Sequence, residues 1–269
     1  MKRPVYIALL VFFAVMFLIS ATFIVLYVVD SIQQGDMYNE LAGLVGTNPE
    51  GEVPPTEPIQ IQLPVFDPDT GTEVEKTDTV LEEYAALYLK NKDLVGWIKI
   101  EGTKIDYPVM QTPDRKDYYL QRDFYGNDNI HGCIYVRESC DVFTPSDNVT
   151  IYGHYMYDGS MFNHLHKYKD KSFWEEHRYI TFDTLTEHHT YEIFAVFTTT
   201  ASIGEGFPYH NFVDAVDAAE FDSFVATCRE LSFYDTGIVP EYGDKLICLS
   251  TCEYSHVNGR FVVVAVRVS

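Results

Sequence analysis

Three side chains could together carry acyl transfer through sulfur. The stretch Leu249-Ser250-Thr251-Cys252-Glu253-Tyr254 holds a thiol, and Arg260 follows it by eight residues at the head of Arg260-Phe261-Val262-Val263-Val264-Ala265-Val266. A cysteine becomes a strong nucleophile as its thiolate, which a neighbouring imidazolium or guanidinium stabilises. A guanidinium that never deprotonates can also hold the oxyanion of a tetrahedral intermediate beside a backbone N–H. Among nine histidines, His154 has the setting of a site residue, because it ends the run Val149-Thr150-Ile151-Tyr152-Gly153. Read from spacing alone, each has a plainer role: a buried structural cysteine, a satisfied core histidine, a surface ion pair. Cys248, Cys252 and His256 could also be read as a C-x3-C-x3-H metal series, but no fourth ligand stands near them and zinc would quench the thiolate. His164-x-His166 and His188-His189 fall in polar segments, where solvated histidine is the default.

The elements that must position these groups are mostly strands. Leu246-Ile247 and Leu249 stop at Ser-Thr-Cys and the apolar pattern restarts at Phe261, which predicts two strands with a polar turn between them and Cys252 at a strand's end. Residues 95–100 and 105–110 predict a hairpin turning at Glu101-Gly102-Thr103, with Pro108 at an edge or bulge. Further strands are predicted over 132–136, 149–152, 179–182 and 191–199. Thr79 with Glu82 predicts a capping box for a helix through Lys92, with Leu81, Tyr84, Leu87 and Tyr88 on one face. Short helices are expected between Met161 and Glu176, Ser172-x-x-Glu175 capping one of them. Helical spacing of Phe221, Phe224, Val225, Cys228 and Leu231 predicts a helix over 214–231, just before the last two strands.

Composition excludes several classes. A net charge of −21 over 269 residues offers no basic footprint for nucleic acid. Five cysteines are too few and too scattered for a disulfide scaffold. The 20 Tyr and 18 Phe supply an aromatic-rich core rather than a disordered chain.

The N-terminal region reads differently. Met1-Lys2-Arg3-Pro4 precedes Val5 to Val29, a stretch without charge and longer than the ~20 residues that cross a bilayer. Lys2 and Arg3 on one flank, with Asp30 and Asp36 on the other, predict a single-pass anchor with residues 1–4 in the cytoplasm, 5–29 in the cell membrane and the rest outside the cell. From Asp30 to Val80 there are eleven acidic residues against one lysine, and six of the twelve prolines. This predicts an acidic Pro-rich stalk over 30–79, with a short helix from Ser31 to Val45, ahead of a globular domain over 80–269.

These residues carry a resemblance. Leu249-Ser250-Thr251-Cys252, Arg260 before a Val-rich strand and Tyr152-Gly153-His154 look like the active-site signatures of sortases, the membrane-anchored cysteine transpeptidases of Gram-positive surfaces. Asn91-Lys92-Asp93-Leu94-Val95-Gly96-Trp97-Ile98, Gly102 through Val109, Tyr118-Tyr119-Leu120 and Asp158-Gly159-Ser160-Met161-Phe162 resemble class B in particular. The resemblance implies a mainly β fold: an eight-stranded barrel with N-terminal helices and a helix in the long connection between strands 6 and 7, preceded by one transmembrane helix. It implies that Cys252 attacks a C-terminal sorting signal and forms a thioester, that His154 is general acid and base, and that Arg260 holds the substrate carbonyl and oxyanion. Ser250, Thr251, Glu253 and Leu120 match groove positions that would touch substrate. The implied partners are secreted proteins bearing a sorting signal and an amine of lipid II or a peptidoglycan stem peptide, or else a pilin lysine, with no cofactor and no metal. Pilus polymerisation and a secreted cysteine peptidase using water are the alternative activities. Two departures stand out: Cys248 occupies the first position of the usual Thr-Leu-x-Thr-Cys, and Arg115-Lys116-Asp117 stands where class B chains often have Asp-Asn before Tyr-Tyr-Leu.

Overall fold

A computed structural model describes residues 3–46, 58–67, 72–202, 204–254 and 258–269. The chain divides into two compact units, Met1–Glu40 and Leu41–Ser269.

One helix, α1 (Arg3–Leu44), covers both the predicted anchor and the predicted short helix. No proline interrupts 31–44, and the cost of Gly35 and Gly43, about 1 kcal/mol each against alanine, is too small to break a helix that long. Large apolar side chains from Val5 to Val29 are exposed around it. Among the described residues it is the one helix long and apolar enough to cross a membrane.

Part of the predicted stalk forms a hairpin. Strands β1 (Gln60–Asp67) and β2 (Thr72–Thr79) pair as an antiparallel hairpin, Gln60 opposite Thr79 and Asp67 opposite Thr72. Ile61 and Leu63 are buried while Gln60 and Gln62 are exposed. That period of two is a strand signal which the surrounding prolines and acids obscure. The rest of the predicted stalk, 47–57 and 68–71, lies outside the described residues.

Helix α2 (Glu82–Lys90) buries Tyr84, Ala85 and Leu87, and its N-cap is Leu81 without a side-chain hydrogen bond. The predicted capping box therefore does not form, because Thr79 is already committed to β2. After it come β3 (Leu94–Lys99), β4 (Asp106–Met110), a 3-10 turn at Tyr118–Gln121, β5 (Ile134–Val136) and β6 (Asn148–Tyr152). The hairpin turn between β3 and β4 contains Gly102 at φ 74°, the left-handed region that favours glycine. Pro108 faces Trp97 across the hairpin, and β4 begins to pair with β5 only at Val109. The N–H that proline lacks is thus not needed by a second neighbour.

A 3-10 segment, Asn163–Lys169, leads into α3 (Lys171–Glu176). Its N-cap is Asp170, whose carboxylate accepts from the Ser172 N–H, two residues ahead of the cap predicted at Ser172. Asp outranks a box that would have started inside the first turn. Strands β7 (Tyr179–Thr184) and β8 (Thr190–Thr200), helix α4 (Ala218–Leu231, capped by Asp217), β9 (Leu246–Glu253) and β10 (Gly259–Arg267) complete the chain.

Strands β3 to β10 close into a barrel in the order β10-β8-β7-β3-β4-β5-β6-β9. Counted within the barrel, α4 falls between the sixth and seventh strands, as the resemblance implied. Phe221, Phe224, Val225 and Cys228 of α4 pack with Phe194, Phe197, Cys248, Val262 and Val264 in one buried cluster. Helix α4 therefore covers the outer wall made by β8, β9 and β10, and the thiol of Cys248 belongs to that layer. Cys248 is fully buried, which pushes its thiol far up from the ordinary range.

Candidate active site

Strand register brings the three candidate groups together. β6 and β9 run parallel, with Tyr152 opposite Ser250. Two residues on from each partner stand His154 and Cys252, so both emerge at the same mouth of the barrel on strands about 4.8 Å apart. The Gly153 N–H continues the ladder to the Ser250 carbonyl at 3.1 Å. β10 returns antiparallel to β9 and sets Arg260 directly opposite Cys252, on the same face. His154, Cys252 and Arg260, 106 positions apart at most, all line one cleft of about 290 Å³.

The imidazole of His154 is held by the main chain. Its Nε2 lies 2.6 Å from the carbonyl oxygen of Leu120. A carbonyl only accepts, so Nε2 carries the proton and Nδ1 is left to exchange one with a reacting group. Leu120 was a candidate for substrate contact; it does line the cleft, with its side chain exposed, and its carbonyl also orients the histidine. Gly132 lies against that carbonyl: a Cβ there would sit 2.4 Å from the Leu120 oxygen, and φ is 57°. Only glycine fits both constraints.

Gly153 meets the same kind of limit. A Cβ would lie 2.5 Å from Ile134 Cδ1 and 2.7 Å from the ring of Phe162, both fully buried. Since neither neighbour can retreat, Gly153→Ala displaces the backbone that carries His154. The expected outcome is a loss of about 1–3 kcal/mol in stability with a fall in acylation rate of tenfold or more, checked by thermal melts beside single-turnover kinetics.

The guanidinium of Arg260 is anchored at one corner. Nη1 donates to the carbonyls of Gly259, at 3.0 Å, and Asn258, at 3.3 Å. Nε and Nη2 have no hydrogen-bond partner among the described residues, which leaves donors for a substrate oxygen. Gly259 itself sits where a Cβ would be 2.3 Å from the Glu253 carbonyl, so the strands approach too closely there for any side chain.

The other candidates divide by strand parity. Ser250 shares the face of Cys252 and lines the cleft, but its Oγ is 2.5 Å from the Tyr209 hydroxyl. Burial pushes that phenol up to about 12, so it stays protonated and able to donate. Thr251 and Glu253 project from the opposite face of β9. Thr251 borders the cleft, yet its Oγ1 is buried without a hydrogen-bond partner among the described residues. Glu253 does not line the cleft; it is buried, with Lys169 Nζ 3.5 Å from its Oε1. Lys116 and Asp117, at the departure from the class B pattern, both line the cleft. Asp117 has φ 51° and accepts from the Tyr135 hydroxyl at 3.0 Å.

His166 escapes the sequence reading. It is half-buried rather than solvated, its ring 4.6 Å from that of Phe261 and 4.5 Å from that of Tyr155, and its Nε2 lies 3.0 Å from the Cys252 carbonyl. Burial holds its pKa below the ordinary 6.5. It therefore steadies the backbone of Cys252 as a neutral donor. Nothing in the polar run around it signals a partner 86 positions away. His256, the third member of the metal series, lies outside the described residues.

Comparison with known proteins fits this geometry. The sortase domain family matches residues 98–268. Sortase B of Listeria monocytogenes is 33% identical over 186 residues, 68% of this chain and 73% of that one. A crystal structure of B. anthracis sortase B in complex with AAEK1 superposes with a TM-score of 0.70 at 31% identity, covering 90% of this chain and 99% of that one. A Staphylococcus aureus sortase B–substrate complex gives 0.65 at 30% identity, covering 71% and 86%. A closed eight-stranded barrel with a covered outer wall, matched along its length by these proteins, places the chain in the sortase family, among the class B cysteine transpeptidases.

Proposed function

We propose that this chain is a membrane-anchored enzyme that cleaves the C-terminal sorting signal of secreted proteins and joins the freed acyl group to an amine of a cell-wall precursor. In this reading residues 1–4 are cytoplasmic, 5–29 cross the membrane and 80–269 form the catalytic domain outside. Lys2 and Arg3 beside an apolar run support that orientation. Cys252 Sγ, as thiolate, attacks the scissile carbonyl carbon. The C–N bond breaks as His154, holding the thiol's former proton on Nδ1, gives it to the leaving amine, and a thioester to Cys252 remains. His154 then takes a proton from the incoming amine, whose nitrogen attacks the thioester; the C–S bond breaks and Cys252 is restored. Arg260 stabilises the oxyanion in both steps. Leu120 and Ser250 border the bound signal. The observation that carries the reading is the register that sets His154 beside, and Arg260 opposite, Cys252 on one cleft.

The test uses the full chain in detergent with a library of signal-like peptides, and mass spectrometry of products with and without added triglycine, a stem-peptide amine or a lysine-bearing pilin peptide. Amide products formed with an added amine, beside a trapped acyl-enzyme, are expected. Products hydrolysed whatever the amine would indicate a peptidase, and preference for the pilin lysine a polymerase.

A further inference from the structure

Beside the cleft, outside its lining, lies a cluster of tyrosines that the chemistry above leaves unused. Tyr155 follows His154 directly and Tyr254 stands two residues after Cys252. Tyr157 and Tyr254 are 82% and 62% exposed, high values for aromatic side chains. Their rings lie nearly parallel, 17° apart in plane, with centroids 6.1 Å apart. Tyr155 meets both edge-on, at 5.8 and 5.6 Å, and rests on His166.

The loop that holds two of these rings is braced from several sides. Tyr155 bridges to Met161, the Phe162 N–H reaches the His154 carbonyl at 2.9 Å, and Asn163 Nδ2 reaches the Met156 carbonyl at 2.7 Å. Lys104 Nζ donates to the Asp158 carbonyl at 3.2 Å. The fully buried His131 places Nε2 3.1 Å from Asp158 Oδ2. Exposed aromatic faces fixed in advance lose little entropy on binding, and a patch of this kind marks an interaction surface.

We propose that Tyr155, Tyr157 and Tyr254 form a stacking platform for the sugar of a glycopeptide amine acceptor, seating it so that its amine reaches the thioester on Cys252. This rests on the transpeptidase reading above. Pyranose rings present slightly positive C–H groups that suit the negative face of an aromatic ring, and the three rings are neutral. The acyl chain occupies the cleft, so the acceptor approaches from beside it. The positions of Tyr155 and Tyr254 next to the two reacting residues fix where that approach ends.

The experiment compares two acceptors on the detergent-solubilised full chain: a stem-peptide amine, and the same peptide bearing its N-acetylated disaccharide. The wild type is expected to show a KM for the glycopeptide about tenfold lower than for the bare peptide. The Tyr157→Ala, Tyr254→Ala double variant should lose that advantage, while acyl-enzyme formation and aminolysis by the bare peptide stay unchanged; the corresponding Phe variants should keep it. Equal KM values in the wild type, or an advantage that survives the double Ala variant, overturns the platform. An effect of the variants seen only with liposomes would assign the rings to a lipid surface and overturns it too. Failure of the wild type to form an acyl-enzyme would instead sink the transpeptidase reading.

Discussion

Cys252→Ala is expected to leave no acyl-enzyme and to lower turnover by at least about 10⁴-fold, the scale seen when a covalent nucleophile is removed. The other thiols cannot take over. Cys133, Cys140, Cys228 and Cys248 are buried, and burial pushes the thiols of Cys140, Cys228 and Cys248 up and away from the thiolate. Cys252 is the one partly exposed cysteine. Iodoacetamide should accordingly label the native wild type once, at Cys252, and the variant not at all. Cys248→Ala makes the contrasting case. Its sulfur packs under α4, so its loss is expected to cost about 1–2 kcal/mol of stability while acylation continues. An intact-mass adduct on Cys248, or one that persists in Cys252→Ala, would end the assignment of the nucleophile.

What could be read in the sequence follows from what is local. The strands at either end of the Cys252 turn were visible because apolar runs are interrupted by a polar turn. Helix α4 was visible because five apolar residues keep a helical period, although Leu231, the last of them, turns out exposed. The barrel came from resemblance, since no periodicity states that β6 lies parallel to β9. That pairing decides the site: without it His154 is one histidine of nine. Sequence and structure part where two local signals compete. Thr79 and Ser172 have the composition of caps, but one ends a strand and the other sits two residues past a better cap. The hairpin over Gln60–Thr79 hides in a segment whose acids and prolines suggest a spacer. His166 and the Leu120 carbonyl depend on contacts across the fold and leave no local mark.

For Arg260 the informative change is the conservative one. Arg260→Lys keeps the charge, yet the expected fall in kcat/KM for acylation is about 10²–10³-fold, close to the cost of losing an oxyanion donor outright. In the proposed mechanism the guanidinium has two tasks, and a planar fork can do both at once. Nη1 is tied to the carbonyls of Gly259 and Asn258, which fixes the side chain along its own turn, while Nε and Nη2, without a hydrogen-bond partner among the described residues, are the donors proposed for the oxygen of the substrate. An ammonium is a single centre on a flexible stem. If it satisfies the two carbonyls it stands back from the cleft; if it reaches the oxyanion it leaves them. The two tasks also predict how the loss divides. An oxyanion contact is made in the transition state, so kcat and kcat/KM should fall together with KM little changed. If KM rises while kcat is preserved, Arg260 binds the ground-state peptide and the oxyanion is held elsewhere, by backbone N–H groups at the end of β9. Single-turnover acylation measured for Lys and Ala variants, with melts to confirm that the barrel has stayed folded, separates these outcomes.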